Sequence, residues 1–173
     1  IVEHLEDLSE RRTIVIFNEE WHKGVIGIVA SRLTEIYYRP AVVLTRTNDL
    51  ATGSARSVSG FDVYKAIEHC RDLLENFGGH TYAAGLSMKA ENVEKFTRRF
   101  EEYVTNHILP EQRSAVIDID AEIDFRDITP KFHSDLKRFN PFGPDNHKPI
   151  FCTHHVYDYG TSKVVGREQE HIK

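Results

Sequence analysis

Three short blocks in this chain carry residue types suited to holding a phosphate. In Gly53-Ser54-Ala55-Arg56-Ser57, glycine lets a backbone approach a ligand closely, two hydroxyls supply hydrogen bonds, and arginine offers a planar fork of donors. In Phe77-Gly78-Gly79-His80, followed by Ala83-Ala84-Gly85, a histidine stands on bare backbone among small residues. In the run from Trp21 to Leu33, His22 and Lys23 fall in the first turn of a predicted helix, where free N–H groups attract anions. Gly24 and Gly27 lower helix propensity by about 1 kcal/mol each relative to alanine, so packing or a ligand must account for them. Taken singly, each block also has a plain structural reading: an exposed strand end, a helix C-cap, and close packing on a sheet.

Other chemistries have less support. Asp118, Asp120, Glu122 and Asp124 alternate along one strand-like run, and a solvated face explains them better than a metal site. The ten histidines show no metal-finger spacing, and no D-H-H string occurs. Cys70 and Cys152 share no CxxC spacing and read as reduced thiols of a cytoplasmic protein. The net charge of −5 argues against bulk-electrostatic binding of nucleic acid but permits a local grip on a few phosphates. With 40% hydrophobic and 28% charged residues the chain reads as a soluble globular protein, and no apolar run approaches the roughly 20 residues of a membrane helix.

The elements that must position these blocks follow from periodicity. Residues 1–12, with Leu5 and Leu8, read as the end of a linker helix. Thr13 to Phe17 is a β-branched run typical of a buried strand, and Asn18 is placed to cap a helix reaching Tyr38 before Pro40. Ala41–Leu44 and Ala51–Val58 predict two more strands. Val63, Ile67, Cys70, Leu74 and Phe77 predict a helix that stops at Gly78-Gly79. Ala83–Met88 predicts a fourth strand, and Glu91 to His107 a last helix with Val93, Phe96, Phe100 and Tyr103 inward. Residues 13–109 therefore predict an α/β domain on a small mixed sheet with flanking helices. Residues 110–115 read as a linker. Beyond it, Val116–Ile123 alternates as a half-exposed antiparallel strand, Thr129-Pro130 starts a short helix, and Ile150–Val165 gives two strands broken near Gly160. Residues 116–173 thus predict part of a small β-barrel. Ile1 in place of Met, and the ending at Lys173, predict a piece of a longer protein.

In combination the blocks are far more specific than apart. W-H-x-G-V-I-G-I-V-A-S-R-L from Trp21, R-P-A-V-V-L from Arg39, G-S-A-R-S from Gly53 and F-G-G-H-x-x-A-A-G from Phe77 resemble the DHH-associated domain of the RecJ family. P-F-G-x-x-N-x-x-P-x-F, Pro141 to Phe151, resembles that family's join to an oligonucleotide-binding (OB) barrel, with Asp145 where the pattern has glycine. The resemblance implies the substrate-binding part of a 5′-to-3′ single-stranded-DNA exonuclease of DNA repair and recombination. It implies two divalent ions, Mn²⁺ or Mg²⁺, held by a preceding DHH domain that is missing here, and none bound by this chain. It further implies a DNA-phosphate grip by Ser54 and Arg56, with Gly53 and Ser57 in the same block. His80 would stabilise phosphoryl charge, the Gly78-Gly79 backbone would admit the strand, and His22 and Lys23 would stand in a second tier. Two alternatives stay open: a nanoRNase or cyclic-dinucleotide phosphodiesterase of the DHH superfamily, and a non-catalytic DNA-binding scaffold.

Overall fold

The computed structural model describes residues 11–143, 145–166 and 171–172. The chain divides between Ala115 and Val116 into two compact units. The predicted linker helix at residues 1–12 lies outside the described residues apart from its last two positions.

The first unit contains β1 (Ile14–Phe17), α1 (Ile26–Tyr37), β2 (Ala41–Thr47), β3 (Leu50–Arg56), α2 (Val63–Glu68), β4 (Asn76–His80), β5 (Ala83–Lys89) and α3 (Val93–His107). The five strands form one mixed sheet in the order β1-β2-β3-β5-β4. Only the β1–β2 pair is parallel, and α1 makes the crossover that a parallel connection requires. β2 and β3 join through Asn48-Asp49, with Asn48 at φ 55°, a conformation asparagine tolerates better than most residues.

Each face of the sheet buries a different core. Val42, Leu44, Ala51, Ala55, Ala84, Leu86 and Met88 pack on α2 and α3, whose Phe96, Phe100 and Val104 recur every fourth residue and so form one stripe. Ile14, Ala41 and Val43 point the other way and pack on Ile26, Ala30 and Leu33 of α1. Glu101 of α3 ties down the start of β1, accepting hydrogen bonds from the Arg12 and Thr13 N–H groups and from the Thr13 hydroxyl.

Two elements differ from the sequence expectation. First, α1 starts at Ile26 instead of after Asn18. The Asn18 carboxamide accepts from Glu20 N–H (2.8 Å), the Trp21 carbonyl accepts from the Thr45 hydroxyl (2.5 Å), and Gly24 N–H donates to His22 Nδ1 (3.1 Å). These local bonds satisfy the backbone outside a helix. His22 and Lys23 consequently lie in the loop before α1, exposed, not in its first turn. Second, the stripe ending at Phe77 is not one helix. α2 stops at Glu68, a short 3-10 turn follows at Arg71–Leu73, and Asn76–His80 pairs with β5 as the edge strand β4. Gly78-Gly79 is therefore sheet and not a helix cap. The apolar spacing fits a helix, but pairing with the free edge of β5 prevails over local periodicity.

The second unit is a partial barrel and not a closed one. β6 (Ala121–Glu122) pairs in parallel with β7 (Phe151–Cys152), and β8 (Val164–Val165) pairs antiparallel with β9 (His171–Ile172). The expectation of one antiparallel strand over 116–123, with a buried face, is not met. Sheet pairing there is confined to β6 and is parallel, and Ile117 and Ile119 stay 69% and 53% exposed. Alternation specifies a strand only where a partner lines its whole length, and β7 is two residues long. α4 (Pro130–Lys137) forms as expected, with the Thr129 hydroxyl accepting from Phe132 N–H (3.2 Å) and Pro130 in the first turn. Asp145 adopts φ 64°, the left-handed region that accounts for glycine in the family pattern. Asn146 closes that loop by donating to the carbonyls of Phe139 (2.9 Å) and Pro141 (2.8 Å).

Both cysteines are free. Burial pushes the Cys70 thiol up to about 11, whereas Cys152 is half-buried. A thiol reagent added to the native chain at pH 8 should therefore label Cys152 rapidly and Cys70 only after denaturation. Two equally fast labelling phases would contradict the packing around Cys70.

Candidate nucleic-acid interface

β3 presents alternate residues to the two faces of the sheet. Ala51, Gly53 and Ala55 point toward α2 and α3. A Cβ on Gly53 would lie 2.5 Å from the Leu44 side chain, so Gly53 is a packing residue buried in the sheet and does not face a ligand. Thr52, Ser54 and Arg56 point to the α1 side.

Antiparallel register carries that side across the next two strands, because directly paired residues share a face. Ser54 pairs with Gly85 and Gly85 with Gly78. Arg56 pairs with Ala83 and Ala83 with His80. Ser54, Arg56 and His80, from two separate sequence blocks, therefore share one face. Arg56 and His80 stand at the two ends of a single row, about 10 Å apart by two strand spacings. The guanidinium at one end and the imidazole at the other belong to the same side of the sheet.

The space between is open. α1 packs on β2 and β3, while Gly78, His80 and Gly85 are exposed. A Cβ on Gly78 would meet nothing within 4 Å. Gly79 serves a different purpose. It sits at φ 151°, and a Cβ there would lie 2.3 Å from the Ala83 carbonyl oxygen, so its bare backbone lets β4 close on β5. Floor and closure thus come from two adjacent glycines.

Arg56 is held in place within this face. Its Nε–H donates to Ser31 Oγ (3.1 Å), and Nη1 donates to Ser54 Oγ (2.8 Å) and to the Ala55 carbonyl (2.8 Å). Ser31 of α1 lies within the W-H-x-G-V-I-G-I-V-A-S-R-L block, but the sequence reading gives it no role. The signal that could have found it is Gly27, one turn earlier, whose missing side chain brings α1 down onto Ser54 and Arg56. Ser57 does not join the face: its hydroxyl donates to the Phe61 carbonyl (2.7 Å) and shapes the turn after β3. His22 and Lys23 lie beside Trp21, which the Thr45 hydroxyl holds to β2.

Among the described residues no group of three or more His, Cys, Asp or Glu side chains is placed to hold a metal ion. The acidic run is spread out and exposed. Asp120 accepts from Ile150 N–H (2.8 Å), and Asp124 is bound to Arg126, which holds its carboxyl down to about 2.

Residues 10–106 match the DHHA1 domain family, and residues 119–173 match the RecJ OB domain. This chain belongs to the DHHA1 domain family, in its RecJ branch. The single-stranded-DNA-specific exonuclease RecJ of Bacillus subtilis is 36% identical over 166 residues, which cover 95% of this chain and 21% of that protein. RecJ of Thermus thermophilus, in complex with Mn²⁺, superposes with a TM-score of 0.79 at 27% identity, over 96% of this chain and 24% of that one. The same protein with Mg²⁺ gives 0.73 at 28%, over 82% and 22%. The chain thus spans between a fifth and a quarter of the length of these RecJ proteins. Its DHHA1 unit carries the Ser54–Arg56–His80 face. Those RecJ structures hold divalent metals, but the described residues here do not supply a donor set that fits one.

Proposed function

We propose that this chain is the substrate-gripping region of a RecJ-type 5′-to-3′ single-stranded-DNA exonuclease, working with a DHH domain outside the chain that holds Mn²⁺ or Mg²⁺. The observation that carries the reading is the shared face of Ser54, Arg56 and His80, laid out on an exposed floor of small residues. Arg56 and Ser54 hold a DNA phosphate near the scissile bond through charge-assisted and hydroxyl hydrogen bonds. His80 donates to the phosphoryl oxygens, a bond that strengthens as charge builds there. The bare backbone at Gly78 admits the sugar-phosphate chain. The OB unit binds the strand further from the cut by stacking and backbone contacts. His22 and Lys23 are a second tier of phosphate contacts. Such an enzyme acts in the cytoplasm in DNA repair and recombination. Among the described residues no helix is long and apolar enough to cross a membrane.

The division of labour is tested by comparing this chain with the full-length protein on 5′-labelled single strands with Mn²⁺ or Mg²⁺. The full-length protein should release the label first and degrade long strands in preference to dinucleotides, and this chain alone should show no cleavage above background. Metal-dependent cleavage that co-purifies with this chain would sink the proposal. Preference of the full-length protein for dinucleotides or cyclic dinucleotides would select the phosphodiesterase alternative, and binding without cleavage the scaffold.

A further inference from the structure

We propose that Ser31 is a positioning residue for Arg56, and that the lock it completes leaves the Ser54 hydroxyl hydrogen and Arg56 Nη2 as the paired donors toward a phosphate. The proposal rests on the reading of this face as a phosphate grip. A guanidinium carries five N–H donors. In this structure three are committed: Nε–H to Ser31 Oγ (3.1 Å), and both hydrogens of Nη1 to Ser54 Oγ (2.8 Å) and the Ala55 carbonyl (2.8 Å). Nη2 alone makes no hydrogen bond among the described residues. Neither edge of the guanidinium is therefore free as a fork, and a phosphate cannot take both of its oxygens from Arg56 without breaking an internal bond.

The missing half of the fork is Ser54. Its oxygen accepts from Nη1, which leaves its own hydrogen available to a ligand. The two free donors are neighbours, because Nη1, on the same carbon as Nη2, lies 2.8 Å from Ser54 Oγ. Gly27 seats α1 against both: a Cβ there would lie 3.2 Å from Nη2 and 3.3 Å from Ser54 Oγ. Ser31 Oγ in turn donates to the Gly27 carbonyl (3.1 Å), so its hydrogen is occupied and its lone pairs are left for Nε. Donors fixed before the ligand arrives lose less freedom on binding than a loose arginine does. Ser31 touches no substrate in this scheme. It acts through Arg56.

The experiment uses the full-length protein, with KM and kcat measured on 5′-labelled single-stranded DNA at one fixed salt concentration. Ser31→Ala should raise KM about five- to tenfold, the effect of one lost hydrogen bond, with kcat and melting temperature little changed. Ser31→Thr, which keeps the hydroxyl, should restore KM. In an Arg56→Ala background Ser31→Ala should add nothing, since the residue it positions is gone. An equal rise of KM in both backgrounds, or an unaltered KM in Ser31→Ala alone, overturns the proposal. If Arg56→Ala itself leaves KM unchanged, the phosphate-grip reading fails. The positioning role is then decided by the Arg56 Nε–H NMR resonance: a shift with faster exchange in Ser31→Ala supports it, and an unmoved resonance overturns it.

Discussion

Arg56→Ala in the full-length protein is expected to lower kcat/KM on single-stranded DNA by roughly ten- to a hundredfold, the range for losing a hydrogen bond to a charged group. The side chain is half-buried and already held by Ser31, Ser54 and Ala55, so its charge is presented without the freedom of a surface arginine. Arg56→Lys should recover only part of the loss. An ammonium keeps the charge, but one nitrogen cannot reach the Ser31, Ser54 and Ala55 oxygens and the ligand together. His80→Ala should behave differently and reduce kcat more than it raises KM, because a donor to the phosphoryl group matters most when charge shifts in the transition state. Steady-state kinetics on a 5′-labelled strand separates the two patterns. An Arg56→Ala protein with wild-type kcat/KM would remove the basis for the proposed grip.

The same residues show what is readable from sequence and what is not. β1, β2, β3, β5 and α3 follow from runs whose apolar spacing agrees with how each is packed. Phe96 and Phe100, for example, are buried on one stripe of α3, and Val42 to Leu44 lie between two cores. The motif blocks place Arg56 and His80 near phosphate chemistry, but not on the same row. That relation exists only through β5, whose Ala83 pairs with both, and pairing order is a tertiary property that spacing within one block does not encode. The glycines mislead in a similar way. A Gly-Gly pair after an apolar stripe fits a helix stop as well as an edge strand. Gly53 reads as a ligand contact because it adjoins Ser54, although strand alternation turns it to the opposite face, against Leu44. Ser57 lies one residue past the end of β3, where its hydroxyl is taken by the Phe61 carbonyl. Ser31 stands within the W-H-x-G-V-I-G-I-V-A-S-R-L block, but its contact with Arg56 becomes visible only once α1 is seated on β3.

Gly79→Ala and Gly78→Val should have opposite outcomes, although the two residues are neighbours on one strand. At Gly79 the backbone sits at φ 151°, and an added Cβ would lie 2.3 Å from the Ala83 carbonyl oxygen and 2.5 Å from the Ala84 Cα. Those are backbone atoms of the paired strand, so relief requires β4 to move off β5. Strain and overpacking together should lower stability by about 2–4 kcal/mol. For a unit of this size that is a drop of roughly 10–20 °C in melting temperature. At Gly78 an added Cβ meets nothing within 4 Å, and valine favours extended backbone, so Gly78→Val should melt at or slightly above the wild-type temperature. Its methyl groups would nevertheless stand in the exposed row that runs from Ser54 through Gly85. Single-strand binding should therefore fall severalfold while the fold is intact. Thermal melting of this chain and strand binding by the full-length protein measure the two halves of the contrast. A Gly78→Val protein that binds single strands like wild type would mean that the floor between Ser54 and the β4 edge is not where the nucleic acid lies. A Gly79→Ala chain that melts with wild type would mean that β4 does not need the close approach to β5 on which the shared row of Arg56 and His80 depends.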